Sequence, residues 1–200
     1  MFGERGDGSA GAEQNVTVEI KDLGTFIKVE GSDEFQQRVE ADLDMLRSSP
    51  RGQEMLAALD RGHTDTEGGW GPWHHDGDSL TIREYYNPDR PDNSDASHSG
   101  GENVIGYNPH LDSLSIDASS DHVDGPPSVV LYHEMAHVYD YMNDTLAPGT
   151  YQEDHSTVNN LEREATGLPL ADGKIYPQHP YDLTENGLRD EMGAPHRESY

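Results

Sequence analysis

Ser128-Val129-Val130-Leu131-Tyr132-His133-Glu134-Met135-Ala136-His137-Val138-Tyr139-Asp140-Tyr141-Met142 is the stretch that decides how this chain is read. Val129, Val130, Leu131, Met135, Ala136, Val138 and Met142 put apolar groups on nearly every face of a helix and leave no polar stripe for solvent, so the helix is expected to be buried. His133, Glu134, His137 and Asp140 are its polar exceptions, and burial does not tolerate so many ionisable groups without partners. Gly125, Pro126 and Pro127 mark where the helix begins, because proline suits a first turn in which its missing N–H costs nothing. An apolar helix that keeps ionisable residues breaks a local rule, and such breaks mark functional sites.

Residues four apart lie on one helical face, one turn from each other. His133 and His137 can therefore direct two imidazole nitrogens at one metal ion. Glu134, beside the first histidine, can reach a water at the edge of the site without being a ligand. Zinc lowers the pKa of such a water toward ~7. Glu134 is then the base that takes its proton and later passes it to the leaving amine. A catalytic zinc needs a third protein ligand and one open position. Asp140, Asp144, His155, Glu162 and Glu164 are the downstream candidates. Asp140 shares the face of His133, seven residues on, but suits better the role of accepting the other N–H of a ligand histidine. Glu162 lies 25 residues past His137, room for a loop and a returning helix over Asn159–Gly167. It is the favoured third ligand, with Glu164 the alternative on the same helix.

Outward from the helix, the chain reads as short elements separated by breakers. Val16, Val18 and Ile20 alternate with polar residues as in a strand, Gly24 interrupts, and Thr25–Val29 is the expected hairpin partner. Ser32 caps a helix whose apolar positions are Phe35, Val39, Leu43 and Leu46. Pro50 opens a second helix that stops near Gly62. A loop over Gly68–Asp78 holds Trp70, Trp73, His74 and His75. Leu80–Tyr86 is a strand, Asp89–Glu102 a polar loop, and Val104–Tyr107 and Leu114–Ile116 are short strands. Thr184 caps a last helix over Glu185–Met192. Residues 1–14 are Gly-rich and polar and are expected to form a flexible tail, leaving 15–200 as one domain.

The composition bounds the rest. Only 32% of the 200 residues are hydrophobic, with 21 glycines and 12 prolines, which suits a small core with many loops. Acidic residues number 39 against 13 basic ones, for a net charge of -26. That field repels nucleic acid and anionic lipid. There is no cysteine, so a metal site must be built from His, Asp or Glu. Met1–Gln14 has no apolar core of a secretory signal, and no stretch reaches membrane-spanning length. If the protein leaves its cell it is expected to use a dedicated secretion or injection machine, or to have been part of a longer polypeptide.

Three blocks carry a resemblance to a known family. They are His133–Asp140, the run Asn160-Leu161-Glu162-Arg163-Glu164-Ala165-Thr166-Gly167-Leu168-Pro169, and the segment Thr184–Tyr200. Together they resemble the M91 family of zinc metallopeptidases, the NleD-like effector proteases of bacterial secretion systems. The upstream pieces Phe35–Leu43 and Tyr107–Pro109 are similar as well. The resemblance implies an effector or toxin domain that holds one zinc ion per chain and cuts a protein inside a target cell. In that family's pattern the later glutamate opens Glu-x-x-Ala, which Glu162–Ala165 matches. Arg197-Glu198-Ser199-Tyr200 is similar to the Arg-x-x-Tyr of clostridial neurotoxin light chains, and this implies that Arg197 and Tyr200 stabilise the developing oxyanion, with Arg189 as the alternative donor. The expectation is an α+β zincin-like domain with a small mixed sheet and a buried active-site helix. Its site has Glu134, Arg197 and Tyr200 as catalytic residues and His133, His137 and Glu162 as metal ligands. The rival expectation is a catalytically inactive, zinc-stabilised binding module on a peptidase scaffold; an intact Glu134 argues against it, because a structural ion has no use for that base.

Overall fold

The computed structural model describes residues 14–17, 26–64, 79–85, 94–99, 102–109, 125–153, 156–170 and 179–200. The expected tail ahead of Gln14, the Gly68–Asp78 loop, the strand at Leu114–Ile116 and the candidate ligand His155 lie outside these residues.

The frame is a mixed five-stranded sheet in the order β1-β2-β3-β5-β4. Its strands are β1 (Gln14–Thr17), β2 (Ile27–Gly31), β3 (Ser79–Glu84), β4 (Asp95–Ser99) and β5 (Glu102–Tyr107). The centre is parallel: Ile27 pairs with Leu80 and Val29 with Ile82 across β2 and β3, and Ile82 pairs with Ile105 across β3 and β5. Both edges, β1 and β4, run antiparallel to their neighbours. The parallel pairings set one buried row of Ile27, Val29, Leu80, Ile82, Ile105 and Tyr107, because side chains two apart share a face.

Two helices link β2 to β3. The first, α1 (Asp33–Arg47), buries Phe35, Val39, Leu43 and Leu46. Its start is pinned twice: Ser32 Oγ accepts from Phe35 N at 3.2 Å, and Glu84 of β3 accepts from Ser32 N at 2.8 Å. Tyr107 then donates to Asp42 at 2.8 Å, fastening α1 to β5. The second helix, α2 (Pro50–Thr64), follows after two residues. That turn is tight enough that a Cβ on Gly52 would stand 2.1 Å from the Leu46 carbonyl oxygen, so only glycine fits.

The apolar stretch forms α3 (Pro127–Asn143), buried from Pro127 to Val138 and again at Asp140. It packs on α1, α2, β4 and β5, and later elements close over it. Tyr132 donates to the Asp182 carbonyl at 2.8 Å, tying α3 to a single 3-10 turn at Tyr181–Leu183. A hairpin of β6 (Thr150–Glu153) and β7 (Ser156–Asn159) leads into α4 (Asn160–Thr166). The last helix is α5 (Glu185–Met192), capped by Thr184, whose Oγ1 accepts from Gly187 N at 3.1 Å. At the end of α4, Gly167 has φ +87°, and a Cβ there would meet Thr184 Oγ1 at 2.5 Å. The end of α4 and the start of α5 are thus in van der Waals contact, which brings Glu162 and Glu185 to the same helix, α3.

Several expectations need correcting. The expected loop over Asp89–Glu102 contains β4, whose Asp-Ala-Ser-His-Ser sequence has no apolar alternation because it is an edge strand. The β6–β7 hairpin was not legible in the sequence; its four-residue strands carry no long pattern. α2 runs past Gly62 to Thr64, since one glycine weakens a helix without ending it. The first strand occupies 14–17, so Gln14, expected in the tail, belongs to the sheet. The antiparallel pairing of β1 with β2 agrees with the expected hairpin.

Candidate metal centre

His133 and His137 stand one turn apart on α3, with ring centroids 4.9 Å apart and planes nearly perpendicular. Glu162, in the first turn of α4, reaches both. Its Oε2 is 3.3 Å from His133 Nε2 and 3.2 Å from His137 Nε2. Donor atoms about 2.0–2.2 Å from one tetrahedral ion stand roughly 3.3–3.6 Å apart, so these separations suit adjacent corners of a zinc-sized site. The three residues form a group able to hold a metal ion. The histidines are buried, whereas the Glu162 side chain keeps 25% of its surface open.

The electrostatics point the same way. Burial opposes charge on His133, but the carboxylates of Glu162 and Glu185, with the field of Glu134, overcome it and push the imidazole up to about 9. Burial likewise opposes charge on Glu162, and the two histidines outweigh it, holding the carboxyl well below its usual range. A field that favours a proton on His133 favours any cation at that point.

Glu185 completes the centre, and sequence reasoning did not single it out. It is wholly buried at the start of α5, and its Oε2 is 3.0 Å from His133 Nδ1. A metal-binding histidine is ordinarily fixed by a partner on its other nitrogen, and Glu185 holds that position for His133. Burial raises the Glu185 pKa, but His133, Arg197 and Arg189 bring it down to about 2. Arg189 donates to Glu185 from Nε at 2.8 Å. It is fully buried in this role, behind His133 rather than at the open side, so the expectation of an alternative oxyanion donor does not fit its position. The Glu185–Arg189 pair at i, i+4 was the available signal, but in sequence it looks like any exposed helical ion pair.

The last residues are held firmly. Asn186 exchanges two hydrogen bonds with the Arg197 backbone, at 2.9 and 2.8 Å. Tyr200 N donates to Glu153 Oε2 at 2.9 Å, and Glu153 also pairs with Arg163 of α4. Tyr200 lies stacked on His133, with centroids 5.8 Å apart and planes at 24°, and its hydroxyl feels the charge of Glu162. Burial and the Glu162 charge keep the phenol protonated, far above its usual pKa, so it remains a donor. Arg197 lies 4.0 Å over the Tyr200 ring and donates to Glu185 Oε2 at 3.3 Å. Its guanidinium thus braces Tyr200 and Glu185 together. Glu134 is buried beside His133 on α3.

The remaining candidates lie elsewhere. Asp140 does not back a ligand histidine: its Oδ1 accepts from Thr145 Oγ1 at 2.6 Å and from His179 at 2.8 Å. One turn separates it from His137, and it faces the Glu164 side of α4. Asp144 is the exposed, left-handed residue that ends α3. Glu164 is buried, accepts from Ala147 N at 2.8 Å, and is pushed up to about 7 by burial and by Asp140.

Two histidines from one buried helix and a glutamate from the next, gathered on a mixed α/β frame, define the class: a domain with a three-residue group able to hold a metal ion. The particular family follows from the chain as a whole. The model of the Peptidase_M91 family, described as effector protein, matches residues 24–200, and the chain belongs to that family of peptidases. No curated protein matches the chain. No helix among the described residues is long and apolar enough to cross a membrane.

Proposed function

We propose that residues 15–200 form a zincin-like metalloendopeptidase domain that acts as an effector or toxin, hydrolysing peptide bonds of a protein in a target cell. The observation that carries this reading is the approach of one Glu162 oxygen to both histidine Nε2 atoms on a side that remains open. His133, His137 and Glu162 hold one zinc ion. The ion, when bound, polarises the scissile carbonyl and lowers the pKa of a water.

The chain's own groups do the rest. Glu134, next to His133 and outside the ligand set, takes a proton from the attacking water and delivers it to the leaving amine nitrogen. Tyr200, protonated and stacked on His133, donates a hydrogen bond where negative charge develops on the carbonyl oxygen. Arg197 supports the same charge and keeps Tyr200 on His133. Glu185 holds the His133 ring from behind. The family's description as effector protein supports delivery by a secretion or injection machine rather than by a Sec signal, with the producing cell's cytoplasm as the site before delivery. The charge of -26 supports a protein substrate, not nucleic acid, and no insertion into membrane.

The test is N-terminus mapping of target-cell lysate treated with wild type and with Glu134→Gln. New N-termini that appear only with wild type identify the substrate and its cleaved bond. Equal sets from both proteins would retire the proposal.

A further inference from the structure

A second group of ligand-type side chains draws on the same two helices and on the segment before the 3-10 turn. Asp140 from α3, Glu164 from α4 and His179 from the segment entering the 3-10 turn each offer one ligand atom, all within 4.8 Å of one another. They are 0%, 4% and 3% exposed.

The hydrogen bonds around them leave a gap with a definite chemistry. Glu164 Oε2 accepts from Ala147 N at 2.8 Å, but Glu164 Oε1 is buried with no hydrogen-bond partner among the described residues. Asp140 Oδ1 accepts from Thr145 at 2.6 Å, but Asp140 Oδ2 is likewise buried and without a partner among the described residues. Two carboxylates packed together repel, and each orphaned oxygen loses the hydration it had in the unfolded chain. His179 Nε2 lies 3.3 Å from the Leu183 carbonyl, which can only accept, so Nε2 carries the hydrogen. Nδ1 stands 2.8 Å from Asp140 Oδ1, an approach that needs a proton between them, and a bound cation can displace that proton. A histidine that gives one N–H to a backbone carbonyl and turns the other nitrogen to carboxylates has the arrangement of a metal ligand with its supporting partner.

We propose that Asp140, Glu164 and His179 form a second, structural site for a divalent transition-metal ion, separate from the centre of His133, His137 and Glu162. Two carboxylates and a neutral imidazole balance a +2 charge and mix nitrogen with oxygen donors. That set suits zinc, whereas calcium and magnesium favour oxygen alone. Full burial shuts substrate out, so this ion does no chemistry. It joins α3 to α4 and to the segment leading into α5. α3 and α4 supply His133, His137 and Glu162, and the third segment runs on to Glu185 at the start of α5, so the ion fixes the spacing on which the open centre depends. The proposal does not rest on the peptidase reading: an inert protein that still held metal here would retire that function and leave this site standing.

Metal content separates the two sites without recourse to activity. The variant His133→Ala/His137→Ala, purified with zinc and dialysed against buffer, should retain about one equivalent by elemental mass spectrometry. Adding His179→Ala should take it to none. A folded double variant that holds no zinc overturns the proposal, and so does zinc that survives in the triple variant, because it is then bound elsewhere. Should the double variant not fold, chelator-stripped wild type titrated with Co2+ gives the answer by its absorption. An end point at two equivalents supports the second site, and an end point at one overturns it.

Discussion

The two side-chain clusters both draw histidine and carboxylate groups from α3 and α4, the second adding His179 from the segment before the 3-10 turn, yet only one opens to solvent. In the first, buried histidines face a glutamate that keeps 25% of its side chain exposed, with Tyr200 at its edge. In the second, all three side chains are sealed; Thr145 and Ala147 donate to the carboxylates, and the Leu183 carbonyl accepts from His179. The difference teaches that access, more than ligand identity, divides a site for chemistry from a site for shape. In the proposed mechanism the first cluster also has two groups with no counterpart at the second among the described residues: Glu134 as a base outside the ligand set, and the protonated phenol of Tyr200.

Glu134→Gln should produce the largest effect. A positioned general base contributes typically ~10²–10⁴ in rate, so hydrolysis of the mapped substrate should fall by about that factor, toward the assay floor. Zinc content and melting temperature should match wild type, since Glu134 is not a ligand. Wild-type turnover in this variant would erase the functional distinction between the open and the closed cluster.

Tyr200→Phe should come next. The phenol is kept protonated by burial and by the charge of Glu162, so it can donate to the carbonyl oxygen in the transition state. Loss of one such donor costs roughly 10²–10³ in kcat, with little change in KM, because the interaction is made mainly in the transition state. Arg197→Ala should lower kcat similarly by freeing the ring it braces, and it should also loosen Glu185. A change confined to KM in both variants would assign the last residues to substrate binding alone.

How legible the site was depended on whether its parts share an element. His133, Glu134 and His137 sit on one helix with a fixed period, so their spacing alone made them readable. Glu162 needed a second helix to return, which a 25-residue gap allowed, and the family's Glu-x-x-Ala pattern added to its claim over Glu164. Glu185, Arg189 and His179 depend on how α5 and the turn before it close over α3. No sequence period encodes that approach, so Asp140 was assigned to the wrong histidine neighbourhood. The sheet behaves the same way. β2, β3 and β5 are central and apolar and were read, whereas edge strand β4 and the β6–β7 hairpin owe their form to their neighbours.

Glu185→Gln tests whether the open cluster is held from behind. Replacing such a supporting carboxylate typically lowers metal affinity about 10–100-fold. Competition with a chromophoric chelator should show that loss at the open centre. The Asp140, Glu164 and His179 site should keep its metal, because the hydrogen bonds of Glu185 run to His133, Arg189 and Arg197. Equal losses at both sites would mean that the clusters titrate as one unit.

Thr145→Val should give the smallest effect and is the most discriminating for the closed cluster. Thr145 follows the left-handed Asp144 that ends α3, and its backbone N also bonds the Asp140 carbonyl at 3.1 Å. Valine keeps the shape and the backbone bond and removes only the 2.6 Å donor to Asp140 Oδ1. A hydrogen bond to a charged group contributes about 1.5–3 kcal/mol, and a half-buried donor falls at the lower end. In a chain of this size 1 kcal/mol moves the melting temperature by roughly 2–4 °C, so a drop of about 3–6 °C is expected by calorimetry. The kcat of the zinc-loaded protein should stay within about twofold of wild type, because the open centre keeps its ligands, its base and its phenol. A fall in kcat comparable to that of Tyr200→Phe, at unchanged melting temperature, would reverse the assignment. It would place Thr145 and Asp140 in the reaction and leave the sealed cluster with no claim to be structural.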